Sequence, residues 1–541
     1  MKQSRRIISI LLAVCFIMCG MINVHAEGET QDSAVWDGSR DITWYNANPD
    51  SEVFYIETAE ELAGLAKLVN EGTEDFNGKT IILESDVILC EGDAEDWTDY
   101  ATDETKIPSE DSAWTPIGYK AVNHIDATGA IISGGAPVSF KGVFDGNGHT
   151  VSGVFYNRGQ AQQSVGIGLF GFVDGATIKN LSVENSYYKA CSAIGGIVGW
   201  AIGDVTVSNC YSDAIISIYG RKSYENAHMG YGGIVGRADG AAVTVDNCWF
   251  GGKTYHTPDA SKNLYANSVG GIVGLLNATE VDIDNCLVTG FVEGNTNVGG
   301  VVGACKSGSV DINDTLMLGT VIAEKASGAY GAEFVGLVTG TASVSMSDNY
   351  GKAGFKATVG SAQSENVWAT DNESTITGWT QDASTHRLSD FELVALVGNE
   401  LAIGDWVNIA EYAYPVPAYF APAQFMAAQL VDTEGEYYKA RFIGTIGDTT
   451  GYDSVGYEVI IWDGVSSEAK KFDLEDATVY TSILANADLE EVSVEGKSLI
   501  ALTIDNIPEA CCKYQIRTFV AKDGVRIYGK TVTLDRPDNW K

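Results

Sequence analysis

Four aspartates fall where carboxylates of neighbouring chain segments could share one ligand. The segments Val243–Asp246, Val281–Asp284 and Val310–Asn313 alternate apolar and polar residues with period two, the pattern of a strand with one buried and one exposed face. Asp246, Asp282, Asp284 and Asp311 then share the exposed face, about 5 Å apart if the segments stack. That spacing suits a bound Ca²⁺ or the carboxylate pair of a retaining glycosidase, and an ordinary solvated strand face reads the same way. No Arg or Lys interleaves to act as a lyase base. None of the six histidines stands in an H-E-x-x-H motif, and no G-x-S-x-G elbow occurs. The stretch "DGNGH" (Asp145–His149) has the composition of a catalytic loop but also reads as a plain strand and turn. The acidic stretch Glu91–Asp111 lacks EF-hand spacing and is expected to be a solvated loop.

A second set of candidates is aromatic and basic, against the grain of an acidic chain. One segment carries Tyr219, Arg221, Lys222, Tyr224 and His228; another carries Lys253, Tyr255, His256, Lys262 and Tyr265. Flat aromatic faces beside hydrogen-bonding cations suit sugar rings or an anionic glycan. Two loops that simply pack on each other are the plainer alternative.

Both sets sit on a repeat. "IGLFG" begins at Ile167, "GGIVG" at Gly195, Gly232 and Gly270, "GGVVG" at Gly299 and a degraded "AEFVG" at Ala332, at intervals of 28, 37, 38, 29 and 33 residues. Such periods mean a solenoid, propeller or array, and the Gly, Val, Ile and Thr content with little 3.6-residue periodicity excludes a helical solenoid. Each unit offers three short strands, so stacked units predict a parallel β-helix rising about 4.8 Å per coil. The glycines are expected to permit positive φ at corners and close approach between coils. Asn180, Asn209, Asn247 and Asn285 should stack at one corner, in the left-handed conformation, bonding one another's amides. Cys210, Cys248 and Cys286, followed by Thr315, should form a buried column. The two longest coils, beginning at Gly195 and Gly232, carry their extra residues in one place, so the two aromatic-basic insertions should project side by side. Loops held by a rigid scaffold are where binding residues concentrate.

The motif "GGIVG…VDNC" resembles the GLUG-type repeat of bacterial extracellular proteins. "TAEELAGLAKLVNEG", "FNGKTIILESDVIL", "WTPIG", "FKGVFDGNGHTVSGV" and "GDWVNIAEYAYPVPAYF" are similar to that family's entry and closing segments, covering roughly residues 53–420. The resemblance implies a right-handed, pectin-lyase-like β-helix of adhesin-like surface proteins, or a non-catalytic arm beside some peptidases. Thr58-x-x-Glu61 is a capping box opening an apolar helical face of Leu62, Leu65, Ala66 and Val69, which should close the first coil. Ser389-x-x-Glu392 should open a second capping helix. After Pro415, Pro417 and Pro422, alternating strands and an Asp523-Gly524 turn predict a β-sandwich, similar to Ig-like terminal modules of exported Gram-positive proteins.

The expected organisation is therefore a signal peptide (1–26), an N-terminal cap with entry coils (27–165), repeats with a C-terminal cap (166–423) and a β-sandwich (424–541). The signal peptide reads from Lys2, Arg5 and Arg6, an apolar run and "NVHA". The net charge of −38 opposes nucleic-acid and anionic-membrane partners, and no later stretch is apolar enough to span a bilayer. The remaining cysteines show no paired zinc spacing and no disulfide scaffold. The leading expectation is an exported, non-catalytic protein that binds glycan or host extracellular matrix, with no cofactor beyond a candidate Ca²⁺. A carbohydrate-active β-helix enzyme and a passive spacer are the alternatives.

Overall fold

The computed structural model describes residues 35–389 apart from 99–102, 110–111, 120–123, 126–130, 133–137, 158–165, 191, 220, 223–228, 257–263, 266, 326–328, 371–375 and 378–385; beyond 389 it describes chiefly the strands. The expected signal peptide lies outside the described residues. Residues 31–389 form one compact unit, and residues 390–541 belong to a second.

The first unit is a parallel β-helix. In the motif sheet Gly195, Gly232, Gly270, Gly299 and Ala332 are successive in-register partners. In the second sheet the partners are Phe170, Val198, Val235, Val273, Val302 and Val335. Each sequence interval is thus one turn of the coil, and one contiguous apolar core runs through it.

A coil has four sides rather than the expected three. In the coil starting at Tyr231 the chain runs through Tyr231–Gly232 in the motif sheet and Val235–Asp239 in the second sheet. It continues through Ala242–Asp246 and Trp249–Phe250 in a long third sheet, then Lys253–His256 in a fourth. The additional side arises because the glycine motif is two strands, not one. The glycines make that fold possible by close approach, not by unusual dihedrals, since none of the motif glycines has positive φ. A Cβ on Gly232 would collide with the Val235 carbonyl, one on Gly233 with the Gly271 carbonyl and the Phe250 ring, and one on Gly236 with the Ile194 carbonyl of the preceding coil.

Positive φ occurs instead at the asparagine corner and at glycines outside the motif, such as Gly175 and Gly203. Asn180, Asn209, Asn247 and Asn285 lie at φ 56°, 54°, 51° and 49°, and Asp314 and Asp348 extend the column at 45° and 52°. The expected amide ladder forms only at its start: Asn209 Nδ2 donates to Asn180 Oδ1 (2.8 Å) and Asn180 Nδ2 to Asp145 Oδ1 (2.9 Å). Asn247 and Asn285 both donate to Asp246 instead, at 3.0 and 3.3 Å, because a charged carboxylate outcompetes a neutral amide as acceptor.

The cysteine column is buried. Cys210, Cys248 and Cys286 are fully inaccessible and free, and their thiols donate to the carbonyls of Ile178, Val207 and Val245 at 3.8, 3.6 and 3.5 Å. Burial pushes the Cys248 and Cys286 thiols well up and that of Cys305 to about 12. Since the thiolate is the reactive form, these cysteines should resist a thiol reagent at pH 8 in the native protein and react fully in denaturant. A Cys210–Cys248 crosslink found by mass spectrometry in the purified protein would contradict this.

The expected capping helix is present at Ala59–Asn70. Thr58 Oγ1 accepts from the Glu61 N–H, and Glu61 accepts in return from the Thr58 N–H. The second expected helix lies outside the described residues apart from Leu393, which is buried.

The acidic stretch after Cys90 is not wholly the solvated loop its composition suggests. Ala94–Trp97 form a 3₁₀ turn, and Trp97 is 1% exposed. Its indole meets the Phe155 ring edge-on at 5.7 Å, within a cluster that includes Tyr187, Ile215 and Tyr255. The segment is a strap laid on the outside of the fourth sheet, and apolar burial holds it there despite its charge.

The second unit contains two antiparallel sheets. One joins Ala423–Glu434, Tyr437–Ile446, Lys497–Pro508 and Leu489–Val494. The other joins Ala477–Ile483, Ser454–Asp463, Cys511–Lys522, Val525–Tyr528 and Val532–Asp535. Lys522 faces Val525 across the expected hairpin; its turn, Asp523-Gly524, lies outside the described residues. Among the described residues no helix is long and apolar enough to cross a membrane.

Candidate functional site: an uncovered strip beside two paired insertions

Side chains alternate along the fourth sheet. Tyr156, Tyr188, Ile216 and Val292 enter the core, and the intervening residues face outward in two columns. One runs Phe155, Tyr187, Ile215, Lys253, Phe291, Thr320. The other runs Lys189, Ser217, Tyr255 and, continuing the register, Glu293 and Ile322. The strap covers the first coils of this face. Beyond it Lys253, Phe291, Glu293 and Ile322 are half-buried and Thr320 is exposed, leaving a strip with an aromatic ring, an aliphatic side chain and two opposite charges.

The two insertions leave the sheet at Ile218 and His256, and they do lie side by side. Arg221–Lys222 pairs antiparallel with Leu264–Tyr265, Arg221 opposite Tyr265 and Lys222 opposite Leu264. Tyr224, His228 and Lys262 lie outside the described residues. Tyr219 is half-buried, with Lys189 Nζ 6.0 Å above its ring. Tyr255 and His256 are not loop residues as expected. They end the strand Lys253–His256 and are 2% and 5% exposed, Tyr255 in the outer cluster that also holds Trp97 and His256 on the inward face of the strand.

His256 Nδ1 lies 3.1 Å from Glu324 Oε2, while its Nε2 is buried without a hydrogen-bond partner. The Thr254 hydroxyl accepts from the Glu293 N–H (2.9 Å) and donates to the Glu293 carbonyl (3.1 Å), fixing that residue's backbone. Burial, and then the nearby Glu324 charge, push the Glu293 carboxyl up; the His256 N–H, the His256 ring and Lys253 pull it back. Lys253 Nζ also lies 5.5 Å above the Tyr255 ring.

The aspartate ladder has the expected register. Asp282 sits opposite Thr244 and Asp311, and Asp246 opposite Asp284. Burial, then Asp311 and Glu280, push the Asp282 carboxyl up. Among the described residues no group of three or more His, Cys, Asp or Glu is placed so that it could hold a metal ion. Asp282 and Asp311 share one column and Asp246 and Asp284 the next, and Asp246 is bound by the amides of Asn247 and Asn285.

Two groupings escaped sequence reasoning. Glu184 and Asp213 follow the in-register pair Val183 and Ser212 in adjacent coils. Burial pushes both carboxyls up, with the Asp213 charge adding to the effect on Glu184. The signal was available: both residues follow an alternating strand at the same point of the repeat. The motif histidine of "DGNGH", His149, pairs through Nδ1 with Asp86 at 3.0 Å, while Asp145 is bound to Lys179 and Asn180. The other grouping is a buried Glu333 with His386 and Arg387.

No family model matches the chain, and none of the curated proteins does. Among solved structures, the chain is similar to the enzymatically active domain of tailspike protein 4 of bacteriophage CBA120. The identity is 11%, over 90% of this chain and 68% of that one, with a TM-score of 0.20. A superposition that loose carries no argument, and the parallel β-helix stands on the strand registers.

Proposed function

We propose that this chain is an exported, non-catalytic glycan-binding protein of the adhesin-like kind, its terminal strands forming an Ig-like attachment module. The observation that carries this reading is the antiparallel pairing of the two insertions. It sets two basic residues and a tyrosine on one ribbon, rooted at the end of a strip that offers Phe291, Glu293 and Lys253 to solvent. A rigid solenoid displaying a polar-rimmed aromatic surface suits a sugar chain, which needs a flat apolar contact and hydrogen-bonding groups held at fixed spacing. A glycan and matrix-protein array tests it. The triple variant Tyr219→Ala, Arg221→Ala, Lys222→Ala should lose at least tenfold in affinity for the ligand found, with an unchanged thermal midpoint. Undiminished binding would place the site elsewhere.

One observation favours a second reading, a carbohydrate-active enzyme: two part-buried carboxyls, Glu184 and Asp213, in adjacent coils, at a separation of about 5 Å that suits a retaining pair. Release of reducing ends from a polysaccharide panel, lost in Glu184→Gln, would favour this reading over the first.

A further inference from the structure

Asn185 clamps the strap to the coils. In the left-handed conformation at φ 47°, it accepts the Ala94 N–H at Oδ1 (2.8 Å) and donates from Nδ2 to the Gly92 carbonyl (2.6 Å). Its own N–H donates to Asp213 Oδ1 at 2.7 Å. One carboxyl of the scaffold thus holds the residue that holds the strap. A second, Glu184, precedes Asn185 in the chain, and the strand register sets it beside Asp213 in the next coil, about 5 Å away. The strap brings a third. Asp93 opens the turn Ala94–Trp97, its Oδ1 accepting the Glu95 N–H at 3.0 Å.

Carboxyls gathered at a half-buried clamp cannot all ionise freely, because each charge raises the cost of the next. Burial pushes both Glu184 and Asp213 up. The Asp213 and Asp86 charges add to the effect on Glu184, and the Asp93 charge to that on Asp213. Hydrogen bonds from Ser182 and the Asn185 N–H oppose the rise without cancelling it. The nearby cations have partners of their own: His149 faces Asp86 at 3.0 Å, and Lys106 on the strap faces Asp96 at 2.6 Å. A carboxyl raised in the closed state favours closure while protonated and opposes it once ionised. Closure is therefore firmest below the ordinary carboxyl range, about pH 4, and weakens as the pH rises through the closed-state values. Two further features ease release. Gly92, at φ 109°, gives the backbone freedom to turn at the entry to the segment. Trp97 Nε1 is buried without a hydrogen-bond partner, a cost of closure that water relieves on opening.

We propose that residues 91–98 are a pH-gated latch, seated over Phe155, Tyr187, Ile215 and Tyr255 in acid and released toward neutral pH by charge at Glu184, Asp213 and Asp93. Release bares three aromatic rings on the outer face of the fourth sheet. Hydrogen exchange of the full chain tests this, read by mass spectrometry between about pH 4 and about pH 7 and corrected for the intrinsic pH dependence of exchange. Protection of the 91–98 segment should fall at least tenfold over that range, while the core strand Val302–Cys305 keeps its protection. The double variant Glu184→Gln, Asp213→Asn removes the scaffold charges but can still accept the Asn185 N–H, and should keep the strap protected throughout. A strap whose protection does not change relative to the core strand, or a fall that survives in the double variant, overturns the proposal. Circular dichroism checks that the double variant folds. If it does not, Asp93→Asn decides, since it alters only an exposed strap residue. It should shrink the fall at least threefold, and an unchanged fall overturns the latch.

Discussion

Replacing Glu333 with alanine should lower the unfolding free energy by about 3–5 kcal/mol, the range for removing one partner of a buried ion pair. Glu333 occupies the second motif position, where earlier coils have Gly196, Gly233, Gly271 and Gly300. It is fully inaccessible. Its Oε2 accepts from Arg387 Nε at 2.8 Å and faces His386 Nε2 at 3.2 Å. Room for it comes from the opposite side of the coil. The column Ser212, Phe250, Val288, Met317 ends in Gly351, where any Cβ would collide with Glu333 Oε1. Arg387, stacked 5.2 Å over Phe355 and bonded to the Glu365 carbonyl, would keep its charge in a buried setting without its carboxylate. Glu333→Gly, which restores the repeat motif, should be as damaging as alanine, because it leaves both an unpaired guanidinium and a void beside Gly351. Urea unfolding checks the magnitude, and hydrogen exchange in the strand Arg387–Leu388 should report the loss first. A cost below about 1 kcal/mol, the scale of an exposed pair, would refute the assignment.

Gly233→Ala should cost about 3 kcal/mol or more, the upper part of the range for overpacking a rigid interior. The added methyl meets the Gly271 carbonyl of the next coil and the Phe250 ring. Neither can withdraw cheaply: inter-coil bonds from the Gly233 and Ile234 N–H groups to the Gly270 and Ile272 carbonyls fix the backbone on both sides of Gly271, and Phe250 fills the tube. Gly175→Ala is the control. It has φ +67° with nothing near its Cβ position, so only the left-handed conformation resists, at roughly 1–2 kcal/mol. Equal losses at the two positions in urea unfolding would show that dihedral preference, not close approach, selects the motif glycines.

How far the repeat could be read without coordinates depends on the distance over which each feature is decided. The coil interval is local information repeated. Because a parallel stack aligns like with like, spacing in the sequence became register in the sheets, and Gly232 faces Gly270 as the motif alignment requires. The asparagine corner and the capping box of Thr58 and Glu61 are likewise decided within a few residues, by φ tolerance and by hydrogen bonds to nearby backbone. The buried thiols follow from that corner, because the left-handed asparagine before each cysteine breaks the alternation and turns the thiol inward.

Other features were decided between residues far apart in the chain. Period-two alternation separates Tyr255 from Thr254, but it cannot say whether an outward face meets water or another segment. Tyr255 is buried in a cluster with Cys90, Ala94 and Trp97, residues more than 150 positions upstream in the chain. The four-sided section depends on glycine backbones closing against the preceding coil, which a count of short strands does not reveal. The aspartates of the ladder were correctly placed on one face by sequence, yet where each carboxylate turns was decided by the nearest competing donor, as with Asp246 at the asparagine corner. The uncovered strip at Phe291 and Glu293 exists because the strap ends before it, and a strap's reach is fixed by packing at its far end, which is tertiary structure.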